Sequence, residues 1–273
     1  MQGKQQSPLF PARVLLVLLI ALTLTCPAPA REWTKEKKAA ALNLAGAAGI
    51  TAWGVASWDY FENTPKKAHE GWFSENTPEG GADKWAHFYF SYTLSHALAS
   101  TYLCWGFDRE KAGALGTLSS FGLMGYMELG DSFSAYGFSH EDFIMNTLGC
   151  TAGWLLYRHK KLAEKIDFRM EYIPRFQDED LATDYEHMKF LAAVKLSGFR
   201  QTQQTPWRYL EFHLGYFARG YAKDSDRERN IYLGIGINLS EIFEALSMKK
   251  TATVFNYYQL PHTYIGPTRN LNQ

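Results

Sequence analysis

The chain has 273 residues, and 28 Lys and Arg balance 28 Asp and Glu, so it carries no net charge at neutral pH. That balance excludes a nucleic-acid binder acting through bulk positive charge. Three cysteines are too few for a disulfide framework, and an aromatic fraction of 15% suits either a generously packed core or a protein apposed to a membrane.

The first segment reads as an export signal. A polar stretch with Lys4 and Arg13 precedes an apolar run from Val14 to Thr25, and Cys26-Pro27-Ala28-Pro29-Ala30 follows. The run is shorter than the ~20 residues a membrane span needs, and Ala28 and Ala30 flank a cut before Arg31. Residues 1–30 are therefore assigned to a signal peptide, which sends the protein to the periplasm or a cell-envelope membrane. Lipid attachment at Cys26 is the rival processing. Thr23 and Thr25 stand where that chemistry favours Leu and a small Ala or Gly, so simple cleavage is expected.

Four apolar stretches of helical character follow, at about 36–58, 84–105, 110–130 and 140–160. In the first, Ala41, Ala45 and Gly49 recur every four positions, which would let another helix approach closely. A polar loop comes next, with Glu62-Asn63-Thr64-Pro65 repeated as Glu75-Asn76-Thr77-Pro78 before Gly80-Gly81. Each stretch approaches the length of a membrane span. Four spans, however, would place both Lys35-Glu36-Lys37-Lys38 and Arg158-His159-Lys160-Lys161 against the positive-inside rule, which favours an extracytoplasmic bundle or one lying on a membrane surface.

After Pro174 and the charged connection Phe176-Gln177-Asp178-Glu179-Asp180 the pattern changes period. Leu210, Phe212, Leu214, Tyr216 and Ala218 alternate, as do Ile231, Leu233, Ile235, Ile237 and Leu239, with a polar turn at 223–228 between them. The expectation is an antiparallel hairpin with one apolar face, extended by a strand around 253–258 and, as an ambiguous candidate, by 189–199. The chain has too few such segments for an outer-membrane barrel, which needs at least ~8 strands. The fold class is α+β, mainly α: a four-helix up-and-down bundle over 31–165, then a linker and a small antiparallel sheet over 166–273, packed on the bundle.

Polar residues gather at the expected helix ends. Asp83, Lys84 and His87 open the second helix, Glu128 and Asp131 close the third, and Ser139, Asp142 and Asn146 begin the fourth. Antiparallel neighbours bring these ends together, and spacings of three or four put each pair on one helix face. Trp58 and Asp59, closing the first helix, would join them.

Asp83, Lys84, His87, Glu128, Asp131 and Asp142 are the candidate catalytic residues. His87, Glu128, Asp131 and Asp142 are the candidate ligands for a divalent metal, the cofactor such a set can hold. Ser139 and Asn146 are supporting residues, and Asp83 and Ser139 also fit as helix N-caps. A buried structural ion-pair network is preferred over a reaction site, because nothing resembles a nucleophile elbow, a His-Glu-x-x-His zinc motif or a phosphate loop. His96 is expected to be packed within its helix, and Gly149 and Gly153 to allow close helix contact. Cys104 lies ~30 Å along its helix from the cluster end and Cys150 ~16 Å, so a disulfide between them is not expected.

The pattern Asp83-Lys84-x-x-His87, Glu128-x-x-Asp131 and Gly137-Phe138-Ser139-x-x-Asp142-x-x-x-Asn146-x-x-Gly149 resembles the YfiM family of predicted periplasmic lipoproteins, a domain of unknown function. Asp184-Tyr185, Gly215-Tyr216, the run Tyr232 to Leu239 and Leu260-Pro261 are similar to the tail of longer members. The Asp-Lys-x-x-His start also resembles, more faintly, VanZ-like membrane proteins. The resemblance implies an envelope location and a helical bundle, and brings no reaction or ligand.

The preferred function is therefore a non-enzymatic, membrane-associated envelope protein whose partner is a membrane surface or another envelope protein, with no nucleic acid and no substrate identified. One alternative is a metal-dependent or acid-base hydrolase acting on a lipid-linked or cell-wall substrate, with Lys84 meeting phosphate. Another is an accessory for envelope transport or assembly.

Overall fold

The computed structural model describes residues 33–173, 183–222 and 226–273. The signal peptide, the connection at 176–180 and part of the 223–228 turn lie outside the described residues. The expected helices form as α1 (Lys35–Ser57), α2 (Ala82–Cys104), α3 (Arg109–Asp131) and α4 (His140–Arg158).

Each start follows from local chemistry. The Thr34 hydroxyl accepts from Lys37 N–H at α1, Asp108 accepts from Lys111 N–H at 2.9 Å at α3, and Ser139 accepts from Asp142 N–H at 3.2 Å at α4. The α2 start differs from the expectation. Gly81, with φ 84°, is the cap residue there, so Asp83 sits within the first turn and its carboxylate is available to other partners.

Helix α2 is the centre of the molecule, with α3 and α4 packed on one side and the sheet on the other. Glycine lets the backbones approach: a Cβ at Gly149 would lie 2.1 Å from the Phe88 carbonyl oxygen, and one at Gly153 2.1 Å from Ser95 Oγ. The small-residue row of α1 does not act this way. Gly49 faces open space, and α1 leans on the bundle through Ala39, Leu42, Ala47 and Ile50 against Leu98, Tyr102 and Leu123.

Two short strands, β1 (Lys67–Ala68) and β2 (Phe138–Ser139), pair in parallel and tie the α1–α2 loop to the start of α4. After the short helix α5 (Lys160–Ala163) come β3 (Ile166–Tyr172), β4 (Met188–Lys195), β5 (Leu210–Arg219) and β6 (Glu228–Ile237), an antiparallel run in that order. Helices α6 (Leu239–Ala245) and α7 (Lys249–Val254) intervene before β7 (Tyr264–Ile265) and β8 (Thr268–Asn270), which both pair with β6. The ambiguous 189–199 segment is β4 over most of its length, whereas the strand expected around 253–258 is the end of α7 and a turn. Aromatic spacing imitated a strand there, but Ala252 N–H bonds Met248 O at 2.9 Å and Tyr258 N–H bonds Val254 O at 2.9 Å. Strand β3 was not foreseen.

One sheet face lays Met170, Met188 and Phe190 on Ala86, Tyr89 and Tyr92 of α2 and Leu156 of α4, forming the principal core. Further along β5 and β6 the same apolar face turns outward. Phe212, Leu214, Leu233, Ile235 and Ile237 are 43% to 58% exposed, and the register pairs Leu214 with Leu233 and Phe212 with Ile235.

The opposite face of the sheet is buried as well, and it carries charges beside Leu191, Ala193 and Tyr232. Arg169 donates to Glu211 at 2.6 and 2.9 Å and to Asp167 at 2.9 Å, Lys195 donates to Asp167 at 2.7 Å, and His213 bonds Glu211 at 2.8 Å. Thus the alternation predicted the strands correctly, while its apolar side faces outward over much of the hairpin. Mutual pairing is what lets so many charges be buried on the other side.

The close approach at Gly149 gives a paired test. Gly149→Ala is expected to destabilise by about 1–3 kcal/mol through overpacking against the α2 backbone. Gly122→Ala, where a Cβ meets nothing within 4 Å, is expected to stabilise by about 0.5–1 kcal/mol. Thermal unfolding followed by circular dichroism reads both, and equal melting temperatures for the two variants would contradict the packing described.

Candidate functional site

The helix ends meet as the spacing implies. The first turns of α2 supply Asp83, Lys84 and His87, the last turn of α3 supplies Glu128 and Asp131, and the start of α4 supplies Asp142 and Asn146. Glu70, from the loop after β1, completes the group. His69-Glu70 recurs as His140-Glu141, and the β1–β2 register sets these dipeptides side by side.

Lys84 is 1% exposed, and its ammonium lies 2.5 Å from Glu70, 2.6 Å from Asp83 and 2.9 Å from Asp142. One cation therefore joins the loop, α2 and α4. Behind it, His87 Nδ1 lies 3.2 Å from both Glu128 Oε1 and Asn146 Oδ1, and its Nε2 lies 3.8 Å from Asp142. Asn146 donates to Glu128 at 3.1 Å and accepts from the Ser91 hydroxyl at 2.9 Å. Ser139, besides capping α4, donates to Glu141 at 3.3 Å.

The end of α1 arrives through Tyr60, while Asp59 is exposed. The Tyr60 hydroxyl donates to the Met127 carbonyl at 3.0 Å and lies by the Asp131 carboxylate, while its ring fills the space left by Gly54 and Gly130. Asp131 thus has Tyr60 as its partner and not Lys84. His96 is apart from the cluster, bonded to the Tyr257 hydroxyl at 2.9 Å and the Gly153 carbonyl at 2.8 Å, with burial lowering its pKa to about 4. Cys150 is buried and donates weakly to Ser120, whereas Cys104 is exposed on α2.

Five carboxylates face two cationic side chains, so the group cannot ionise completely in a buried setting. Burial raises Glu128 to about 8 and Asp131 to about 6, and burial together with Asp142 raises Glu70 to about 7. Asp83 is also raised by burial. Asp142 is held low despite burial, because His87 and Lys84 both attract its charge. Burial alone would lower His87, but Asp142 and Glu128 outweigh it and hold the imidazole's pKa up.

Within the cluster, His87 with Glu128 and Asp142, and Glu70 with Asp83 and Asp142, form triads whose donor atoms lie within 4.8 Å of one another. In the second, the Lys84 ammonium already stands where a metal cation would. Two cavities among the described residues lie elsewhere. One of about 340 Å³ is lined by Arg109, Trp154 and Tyr157 at the opposite end of the bundle, and one of about 160 Å³ lies between α2 and the sheet, beside Trp85, Phe168 and Leu214.

A sequence model of the family described as predicted periplasmic lipoprotein (DUF2279) matches residues 69–158, the segment that carries the whole cluster except Tyr60. Comparison with curated proteins and with solved structures returned no match. The family description and the export signal agree, and the protein is an exported protein of the cell envelope.

The raised carboxylates fix the sign of a pH effect. A carboxyl whose pKa is higher folded than unfolded contributes stability below the unfolded pKa, which is lost as pH rises through the folded value. For Glu128, Glu70 and Asp131 that window runs from about pH 4 to 8, and His87, also raised, acts in the same direction in its upper part. The melting temperature is expected to fall between pH 5 and 8, and to fall less in Glu128→Gln. Identical slopes in the two proteins would show that Glu128 does not retain a proton in the folded state.

Proposed function

We propose that the protein is a membrane-associated, non-enzymatic component of the envelope whose β5–β6 face lies against lipid. The carrying observation is the polarity of the β5–β6 hairpin: aliphatic side chains outward, a buried cluster of ion-paired side chains inward. In water this arrangement leaves a large apolar strip exposed, while in lipid the same strip is solvated and the charges stay sealed. Helix α1 adds a second apolar surface, with only Gly54 buried among its residues. Exposed Leu118 and Leu129 on α3, and Ile144, Leu148 and Trp154 on α4, extend the apolar exterior. The polar cluster then serves to hold the bundle end together.

One observation favours a second reading, an acid-base hydrolase acting on a lipid-linked or cell-wall substrate. Glu128, raised to about 8, stands 3.2 Å from His87 in a pair suited to proton transfer. Against it, Glu128 and Asn146 are at most 1% exposed.

Carbonate extraction of membranes tests the proposal. The protein is expressed with Cys26→Ala, so that no lipid on that residue anchors it. It is expected to remain with the membranes, and Leu214→Gln, Leu233→Gln and Ile235→Gln together are expected to shift most of it to the supernatant. Complete release of the Cys26→Ala protein would overturn the lipid-facing role, as would full retention of the triple sheet variant.

A further inference from the structure

A second group of metal-ligating side chains lies outside the Lys84 cluster. The parallel register pairs Lys67 with Phe138 and Ala68 with Ser139, and the residues that follow the two strands are His69 and His140, the latter opening α4. Their rings meet edge to face with centroids 5.5 Å apart, and both residues are exposed. Glu141 follows at once and is buried, 3% exposed. One ligand atom from each of His69, His140 and Glu141 lies within 4.8 Å of the others.

We infer that His69, His140 and Glu141 form a binding site for a divalent transition ion of the zinc class. Two imidazoles and a carboxylate are the donor types that borderline ions prefer, whereas calcium and magnesium favour oxygen alone. Tetrahedral coordination at ~2.0–2.1 Å places ligand atoms about 3.4 Å apart, which the exposed rings reach by a small side-chain rotation. His140 Nδ1 already lies 3.1 Å from Glu141 Oε2.

The carboxylate is held ready. Its Oε1 accepts the Gly71 N–H at 3.2 Å and its Oε2 accepts the Ser139 hydroxyl at 3.3 Å, the supporting bonds that orient a metal ligand. Three protein donors leave the fourth position to water, and the ion would staple the loop carrying Glu70 to the helix carrying Asp142. The Glu70, Asp83 and Asp142 triad, by contrast, already holds the Lys84 ammonium.

Equilibrium dialysis of the full chain against Zn²⁺, with Co²⁺ absorption as a report on geometry, tests the site. One equivalent of Zn²⁺ is expected to bind, with affinity lowered at least tenfold in His69→Ala and in His140→Ala, and retained in His87→Ala. Both mutated rings are exposed, and a wild-type circular dichroism spectrum verifies that the variants fold. Mg²⁺ in excess is expected not to compete. Absence of stoichiometric Zn²⁺ would overturn the inference, as would undiminished binding in both variants, or loss in His87→Ala alone, which would move the ion to the inner cluster.

Discussion

The ammonium of Lys84 is the point on which the bundle end depends. It is buried among three carboxylates from three segments: Glu70 in the loop, Asp83 on its own helix and Asp142 on α4. A charge so placed is tolerated only when paired, and the pairing in turn fixes where the loop crosses and how α4 begins. The excess of negative charge is relieved by protons, because Glu70 and Glu128 have pKa values raised to about 7 and 8. Network and proton count are one arrangement: with the lysine present, Asp142 can remain ionised, and with it His87 keeps a charged partner.

The same principle recurs in the sheet with a different outcome. Arg169, Asp167, Glu211, Lys195 and His213 form ion pairs with one another on the concealed face, while the aliphatic face of β5 and β6 stays largely outside the core. An envelope protein has a solvent for that face in the bilayer. A nearly unburied apolar helix α1 in the same chain is consistent with that environment.

Much of this was legible in the sequence. Helix period, caps and apolar content give the four long helices, and spacings of three and four residues bring Asp83, Lys84, His87, Glu128, Asp131, Asp142 and Asn146 together. Glu70 was missed because loop residues have no period to announce them; only the repeated His-Glu dipeptide marks the pairing that the β1–β2 bridge makes. Strand alternation reveals two faces but not which one is inside. Glu211 and His213 occupy the positions between the apolar residues, and nothing local shows that Arg169, from a strand before them, will pair with Glu211. The end of α7 differs for a related reason: Phe255, Tyr257 and Tyr258 suit a strand or a packed turn equally until their partners, Phe243, Tyr92 and Tyr172, are known.

The account stands most directly on the melting behaviour of Lys84→Met, alone and combined with Asp83→Asn. Removing the cation leaves buried carboxylates facing one another, and a loss of about 3–5 kcal/mol is expected, partly recovered when one carboxylate is neutralised. A Lys84→Met protein that melts with the wild type, or a double variant no more stable than the single one, would contradict the central role given to this ion-pair network.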